Sequence, residues 1–232
     1  MKATLSRDVR QSASARSLVF EVPGWPGHDA GQHVDVRLTA EDGYTAQRTF
    51  SLSAPVDDGA VEITVQRVPD GEVSPYLVDE MTTGDAVDVL GPIGRWFVWT
   101  PSQPEPVLLI GGGSGVAPLV AMLRAARRSD RASSFRLLYS VRSPADVLFG
   151  EDLRADPSGV ATLYTREGDE SAARPVGRIA RSDLNTYGWP VDAQPTIYVC
   201  GPTGFVEAVI ALLVSAGHDP NRIRAERFGS TG

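Results

Sequence analysis

The sequence predicts a two-domain chain, an antiparallel β-barrel over residues 1–100 followed by an α/β doubly wound parallel sheet over residues 106–232. Three observations predict it. In the first half, short runs of alternating apolar and polar residues are broken by Gly, Pro and Asp, as in barrels and sandwiches. In the second half, apolar strands alternate with helical patterns, which gives a parallel sheet. Between the halves lies TPSQPEP, Thr100 to Pro106, a proline-rich linker.

The barrel strands are expected at HVDVRL, QRTFSLS, VEITVQRV, DAVDVL and RWFVW. In the second half VLLI is the first strand, followed by a helix from about Pro118. RLLYSV, ATLYT and TIYVC continue the sheet, and IRAERF closes it. Before that last strand, GFVEAVIALLVSAG places Val206, Val209, Ile210 and Leu213 on one helical face. There is no internal repeat and no low-complexity tract.

Composition narrows the function. A 42% hydrophobic content supplies a core for each half. No run approaches the roughly 20 apolar residues of a membrane-spanning helix, and MKATLSRDVRQSASARS lacks an apolar signal core. A cytoplasmic protein without membrane insertion is therefore expected. The formal charge of −7 argues against nucleic-acid binding. One cysteine and three scattered histidines give neither a disulfide framework nor an evident metal site, so no protein-bound metal is expected.

Four stretches carry chemistry. GGGSGVAP, Gly111 to Pro118, joins a buried strand to a helix at the carboxyl end of the sheet, where unpaired N–H groups receive phosphate. A tight turn beneath a close-packed helix explains the same glycines equally well. Arg48-Thr49-Phe50-Ser51 lies in an alternating strand, where an arginine is ordinarily a solvated charge. Gly71-Glu72-Val73-Ser74 opens a helix and is also a plain helix start. Cys200-Gly201-Pro202 ends the fourth strand of the second half, where a cysteine is commonly core.

In this order, RTFS, GEVS, GGGSGVAP and CGP resemble the motifs of the ferredoxin–NADP reductase superfamily, especially its flavin-containing reductases that serve oxygenases. The resemblance covers nearly the whole chain. It implies an FAD-binding barrel and an NAD(P)-binding α/β domain. Arg48 would grip the FAD pyrophosphate, Phe50 would pack on the isoalloxazine, and Ser51 would lie near its N5. Thr49, Arg67 and Val68 would belong to the same flavin site. Most relatives carry tyrosine where this chain has Phe50, so the stacking surface is kept and a hydroxyl is lost. Gly71, the N–H groups around Val73, and the Ser74 hydroxyl would complete the pyrophosphate site. GPIGRWF, Gly91 to Phe97, resembles the barrel-closing segment.

By the same resemblance Gly112, Gly113, Ser114 and Gly115 cradle the nicotinamide dinucleotide's pyrophosphate. Arg142 is a phosphate contact, and Cys200, Gly201 and Pro202 lie close to the nicotinamide ring. Thr165-Arg166-Glu167 is similar to the segment by which NADP-specific relatives hold the 2′-phosphate, with Glu167 turned to solvent or paired with a neighbouring arginine. Glu226 would sit near the flavin edge and Phe228 near its exposed face, although GSTG extends past the AERF ending. Ser51, Cys200 and Glu226 are the candidate catalytic residues, Cys200 as a positioning group because no thiolate nucleophile is needed.

The implied activity is hydride transfer from NADPH, or NADH, to FAD, followed by single-electron transfer to a separate acceptor protein such as a ferredoxin, an oxygenase or another redox component. A fused plant-type ferredoxin cluster needs four cysteines and this chain has one. Two alternatives stay open: a flavin or ferric reductase with a diffusible acceptor, and a flavin-binding coupling subunit that does not turn over alone.

Overall fold

The computed structural model describes residues 1–55, 59–155, 159–168, 172 and 174–229. Of the GSTG extension, Ser230, Thr231 and Gly232 lie outside the described residues.

Six strands build the first sheet: β1 (Lys2–Ser12), β2 (Ala15–Glu21), β3 (His33–Thr39), β4 (Thr45–Ser51), β5 (Ala60–Gln66) and β6 (Ala86–Ile93). Their order is β4-β3-β6-β1-β2-β5, every neighbouring pair antiparallel. The sheet closes on itself where Leu52 bridges Ile63 and the Ser53 N–H donates to the Glu62 carbonyl at 2.9 Å. Closure removes the exposed edge that an open sheet would leave. Alternation fills the interior with Leu18, Phe20, Val34, Val36, Val61, Ile63 and Val65.

The hairpin β1–β2 is an addition to the expected strands. RWFVW corrects them in the other direction: it bends, and forms only a single bridge from Trp99 to Ala30. The reason is packing, because Phe97 and Trp99 are plugged into the core of the second domain rather than paired along a strand. The GEVS turn opens a helical segment, α1 (Val73–Pro75), which continues as a π turn through Tyr76–Glu80.

The second sheet holds β7 (Val107–Gly112), β8 (Phe135–Val141), β9 (Val160–Tyr164), β10 (Thr196–Pro202) and β11 (Ile223–Phe228) in the order β11-β10-β7-β8-β9, all parallel. Strands β7, β8, β9 and β10 alternate between two cores. Leu109, Leu137, Tyr139 and Tyr198 face α2 (Val116–Arg128) and α3 (Gly150–Arg154) on the barrel side. Leu108, Ile110, Leu138, Ile197 and Val199 face α4 (Arg181–Tyr187) and α5 (Thr203–Ala216). Strand order reverses between β7 and β10, and their carboxyl ends frame the crevice where such sheets bind ligands.

Barrel and sheet share one core. Ala15, Ala30, Phe97 and Trp99 pack with Met122 and Leu123 of α2. The approach is close: a Cβ on Gly31 would stand 1.9 Å from the Phe97 carbonyl oxygen and 2.6 Å from the Met122 methyl.

Candidate functional site

A cavity of about 710 Å³ opens at the carboxyl end of the parallel sheet. It gathers Gly112, Gly113 and Ser114 from the first turn, Arg142 after β8, Thr165 and Arg166 after β9, Pro202 after β10, and Phe228 at the end of β11. These residues come together because the strand ends are stitched: the Arg166 and Glu167 amides both donate to the Arg142 carbonyl, at 3.0 and 3.1 Å. Glu167 does not line the cavity.

The glycines divide the work. Gly113 has φ +56° and nothing within 4 Å of a built Cβ, so it opens on the cavity. Gly112 is held bare by protein as well, since a Cβ would meet the Phe205 ring at 2.7 Å. At Gly115 a Cβ would lie 2.5 Å from the Cys200 carbonyl oxygen, and this residue does not line the cavity. Its missing side chain therefore serves the crossing of α2 over β10 rather than ligand access, as does that of Gly111 under Val116 and Leu119. Gly201 likewise is buried beneath Phe205.

Sequence reasoning missed Arg178 and Gln66. Arg178 reaches the cavity because the Gly177 amide donates to the Tyr164 carbonyl at 2.9 Å, laying that segment along the end of β9. Gln66 comes from the barrel. Neither lies in a glycine-rich or strand-end motif. Among the described residues Arg142, Arg166 and Arg178 have no ion-pair partner, and they face one lining carboxylate, Asp146, which accepts a hydrogen bond from Ser143 at 2.6 Å. Three unpaired guanidiniums in a chain of formal charge −7 make a local anion site.

The flavin motifs lie on the barrel. Arg48 is exposed on β4, and among the described residues its guanidinium donates only to the adjacent Gln47 carbonyl at 2.6 Å. Tyr44 donates to Glu72 at 3.0 Å and so ties the start of β4 to the GEVS turn. That bond holds the Tyr44 hydroxyl above its ordinary pKa, with the nearby Arg48 charge acting in the opposite sense. Arg48 and the GEVS turn thus share one face. Ser74 is buried and accepts the Val68 amide at 3.0 Å, so it braces the turn and retains only its own proton to donate. Thr49 is turned to Asp35 and Arg67 is paired with Asp79 at 2.6 Å, while Val68 is exposed. Phe50 packs partly on the barrel core, and among the described residues the Ser51 hydroxyl has no partner.

Both halves meet at one seam. Ser51 pairs with His33 across β3 and β4, and His33 Nδ1 stands 4.0 Å from Glu226 Oε1. Glu226 pairs with Cys200 across β10 and β11, and Cys200 lies against Gly115. Burial pushes the Glu226 carboxyl up to about 7 and lowers His33 below its ordinary value, an effect that Asp35 partly offsets. In the interval between the lowered His33 pKa and about 7 the two groups therefore face each other as a neutral pair, and on further acidification His33 gains its charge. Cys200 is 2% exposed, its thiol raised by burial and then by the Glu226 charge, so it offers no thiolate.

A group fits this arrangement if it is flat at the seam and carries phosphates toward two separate anion sites. FAD and a nicotinamide dinucleotide meet both conditions. The oxidoreductase FAD-binding domain model matches residues 2–98, and the oxidoreductase NAD-binding domain model matches residues 109–210. The chain belongs to the ferredoxin–NADP reductase superfamily.

Its relatives include the ferredoxin reductase component of 3-ketosteroid-9-alpha-monooxygenase from Rhodococcus rhodochrous, 31% identical over 98% of this chain and 64% of the relative. The ferredoxin–NAD(P)(+) reductase component of the naphthalene 1,2-dioxygenase/salicylate 5-hydroxylase systems of a Ralstonia species is 30% identical over 87% and 61%. The chain thus spans less than two thirds of the length of these relatives. Among solved structures, the FAD/NAD-binding domain of the Vibrio cholerae nitric oxide dioxygenase superposes with a TM-score of 0.87 at 27% identity, covering 99% of this chain and 98% of that one. For this reductase-superfamily chain, FAD and NAD(P) are the cofactors of the two domains.

The half-buried Glu226 carboxyl gives a testable pH dependence. Glu226 binds its proton more tightly in the folded chain than in the unfolded one, where the ordinary value is 4.5. Its contribution to stability is complete below that value and is lost as pH rises through about 7, by at most about 3 kcal/mol. Glu226→Gln is expected to flatten the melting temperature of the cofactor-free chain between about pH 5 and 8 and to raise it at the alkaline end. Parallel melting curves for the two proteins would remove this reading of Glu226.

Proposed function

We propose that this chain takes hydride from NADPH onto bound FAD and hands electrons singly to a separate redox protein, a ferredoxin or an oxygenase component. The observation that carries the reading is the seam, where Ser51 and His33 of the barrel meet Glu226 and Cys200 of the sheet. Bound flavin supplies the chemistry, accepting hydride and releasing electrons one at a time. The chain's residues align and bind. Arg48 with the Val73 and Ser74 turn is the pyrophosphate site, which selects FAD over FMN. The Ser51 hydroxyl, without a partner among the described residues, offers a hydrogen bond at the reacting edge, and half-buried Glu226 holds a proton there near neutrality. Gly113 and Ser114 admit the nucleotide's pyrophosphate beside Arg142, while Thr165, Arg166 and Arg178 hold a 2′-phosphate and favour NADPH over NADH.

The partner part of the proposal rests on the names of the relatives, which are reductase components of oxygenase systems. Cytoplasmic residence belongs to the same proposal; in support, no helix among the described residues is long and apolar enough to cross a membrane. An acceptor panel tests the function. FAD-loaded chain reduced anaerobically by NADPH is mixed with a plant-type ferredoxin, free flavin or a ferric chelate. Fastest reoxidation by the ferredoxin is expected, and reoxidation by the small molecules alone would replace the protein acceptor with a diffusible one.

A further inference from the structure

Helix α2 begins at the nucleotide loop, and nine residues beyond Gly115 it carries Arg124. This arginine engages all three guanidinium nitrogens, and one of them reaches across the domain seam. Nη1 donates to the Ser53 carbonyl at 3.0 Å and to Glu62 Oε1 at 2.7 Å, both on the barrel. Nε and Nη2 form a two-pronged contact with Asp152 of α3, at 2.9 and 2.7 Å. On the barrel side the contact continues inward. Ser53 Oγ donates to Glu62 at 2.8 Å, Thr64 donates to Ser53 Oγ at 3.1 Å, and Ser17 lies 2.7 Å from Thr64. Gln11 donates to Ser17 at 2.9 Å, and its carbonyl accepts the Phe149 amide at 2.9 Å, which returns the chain of bonds to the α/β domain.

Ser17, Ser53 and Thr64 are buried. Burial alone would lower the Arg124 pKa, and Asp152 with Glu62 more than reverses this, so the guanidinium is permanently charged. The apolar seam of Ala15, Ala30, Phe97, Trp99, Met122 and Leu123 already holds the domains together, yet such contacts tolerate sliding. Hydrogen bonds with direction do not. Ser53 is two residues from Ser51, and α2 is a rigid rod leading back to Gly113 and Ser114.

We infer that Arg124, acting through Ser53, Glu62 and Asp152, is a positioning residue for hydride transfer: it fixes the strand bearing Ser51 relative to the helix that begins at the nucleotide loop. This rests on the function proposed above. A shift of about 1 Å between reacting groups costs up to about a hundredfold in rate, so a clamp remote from the chemistry has leverage on it. Lysine keeps the charge and loses the planar fork, so it does not restore the geometry.

The test compares wild type, Arg124→Met and Arg124→Lys in anaerobic reduction of the FAD-loaded chain at saturating NADPH. In both variants the flavin reduction rate is expected to fall about tenfold or more, with FAD affinity and NADPH dissociation constant within about twofold of wild type. Hydrogen exchange on the cofactor-free chain supplies a readout independent of activity: the Ser53 and Phe149 amides should exchange faster, and those of α5 should not. Should Arg124→Met fail to fold, Glu62→Gln, which keeps the Asp152 pair, must show the same selective loss in smaller degree. An unchanged rate, or loss of rate in step with both affinities and melting temperature, would overturn the inference. Failure of wild type itself to be reduced would instead reject the proposed function.

Discussion

Replacing Arg166 or Arg178 by alanine is expected to cost NADPH roughly 10-fold to 150-fold in kcat/KM while NADH stays within about twofold. Each guanidinium lines the cavity without a carboxylate partner among the described residues, so each is available for a charge-assisted bond to a 2′-phosphate. Such a bond contributes roughly 1.5 to 3 kcal/mol, which sets the range. Both side chains are exposed, so screening places the effect toward its lower end and makes NADPH affinity fall with added salt more steeply than NADH affinity. Removing both arginines should cost less than the product of the single losses, because they share one anion. A wild-type preference for NADH, or equal losses with both nucleotides, would detach these residues from the 2′-phosphate.

Arg48→Ala should lower FAD affinity by a similar factor, about 10-fold to 150-fold, and yield protein that purifies with less colour. The guanidinium stands exposed on the face shared with the GEVS turn, bonded among the described residues only to a neighbouring carbonyl. An exposed arginine with no ion pair gains a partner only when an anion arrives. Arg48→Lys should fall between wild type and alanine, because a point charge replaces a fork matched to phosphate. Equilibrium titration of the apoprotein with FAD and with FMN measures both. Unchanged FAD affinity in Arg48→Ala, or tighter binding of FMN, would move the pyrophosphate elsewhere.

The α/β half was legible because its strands are apolar on both faces and end in glycine or in a charged turn, a signal that survives without any partner in view. The N-terminal hairpin was not. Beyond Ala3 and Leu5, strand β1 runs through exposed Arg7, Asp8, Val9 and Arg10 and shows little alternation of its own. RWFVW misled for the opposite reason, since alternating aromatics look alike whether they pair in a sheet or plug a neighbouring domain. Within the site, motif spacing located the phosphate loop but could not separate Gly113, bare toward the cavity, from Gly115, bare toward Cys200. Arg178 depends on a backbone bond from Gly177 to Tyr164, and Arg124 on partners 62 and 71 residues away, so neither leaves a local trace.

In the proposed function the seam brings the reacting edges of flavin and nicotinamide together. Anaerobic mixing of the FAD-loaded chain with NADPH, deuterated in turn at each of the two nicotinamide C4 positions, tests it most directly. Bleaching of the flavin absorbance is expected to saturate with nucleotide and to slow with deuterium at one position only. Bleaching indifferent to deuterium at both positions, or no bleaching with either NADPH or NADH, would contradict it.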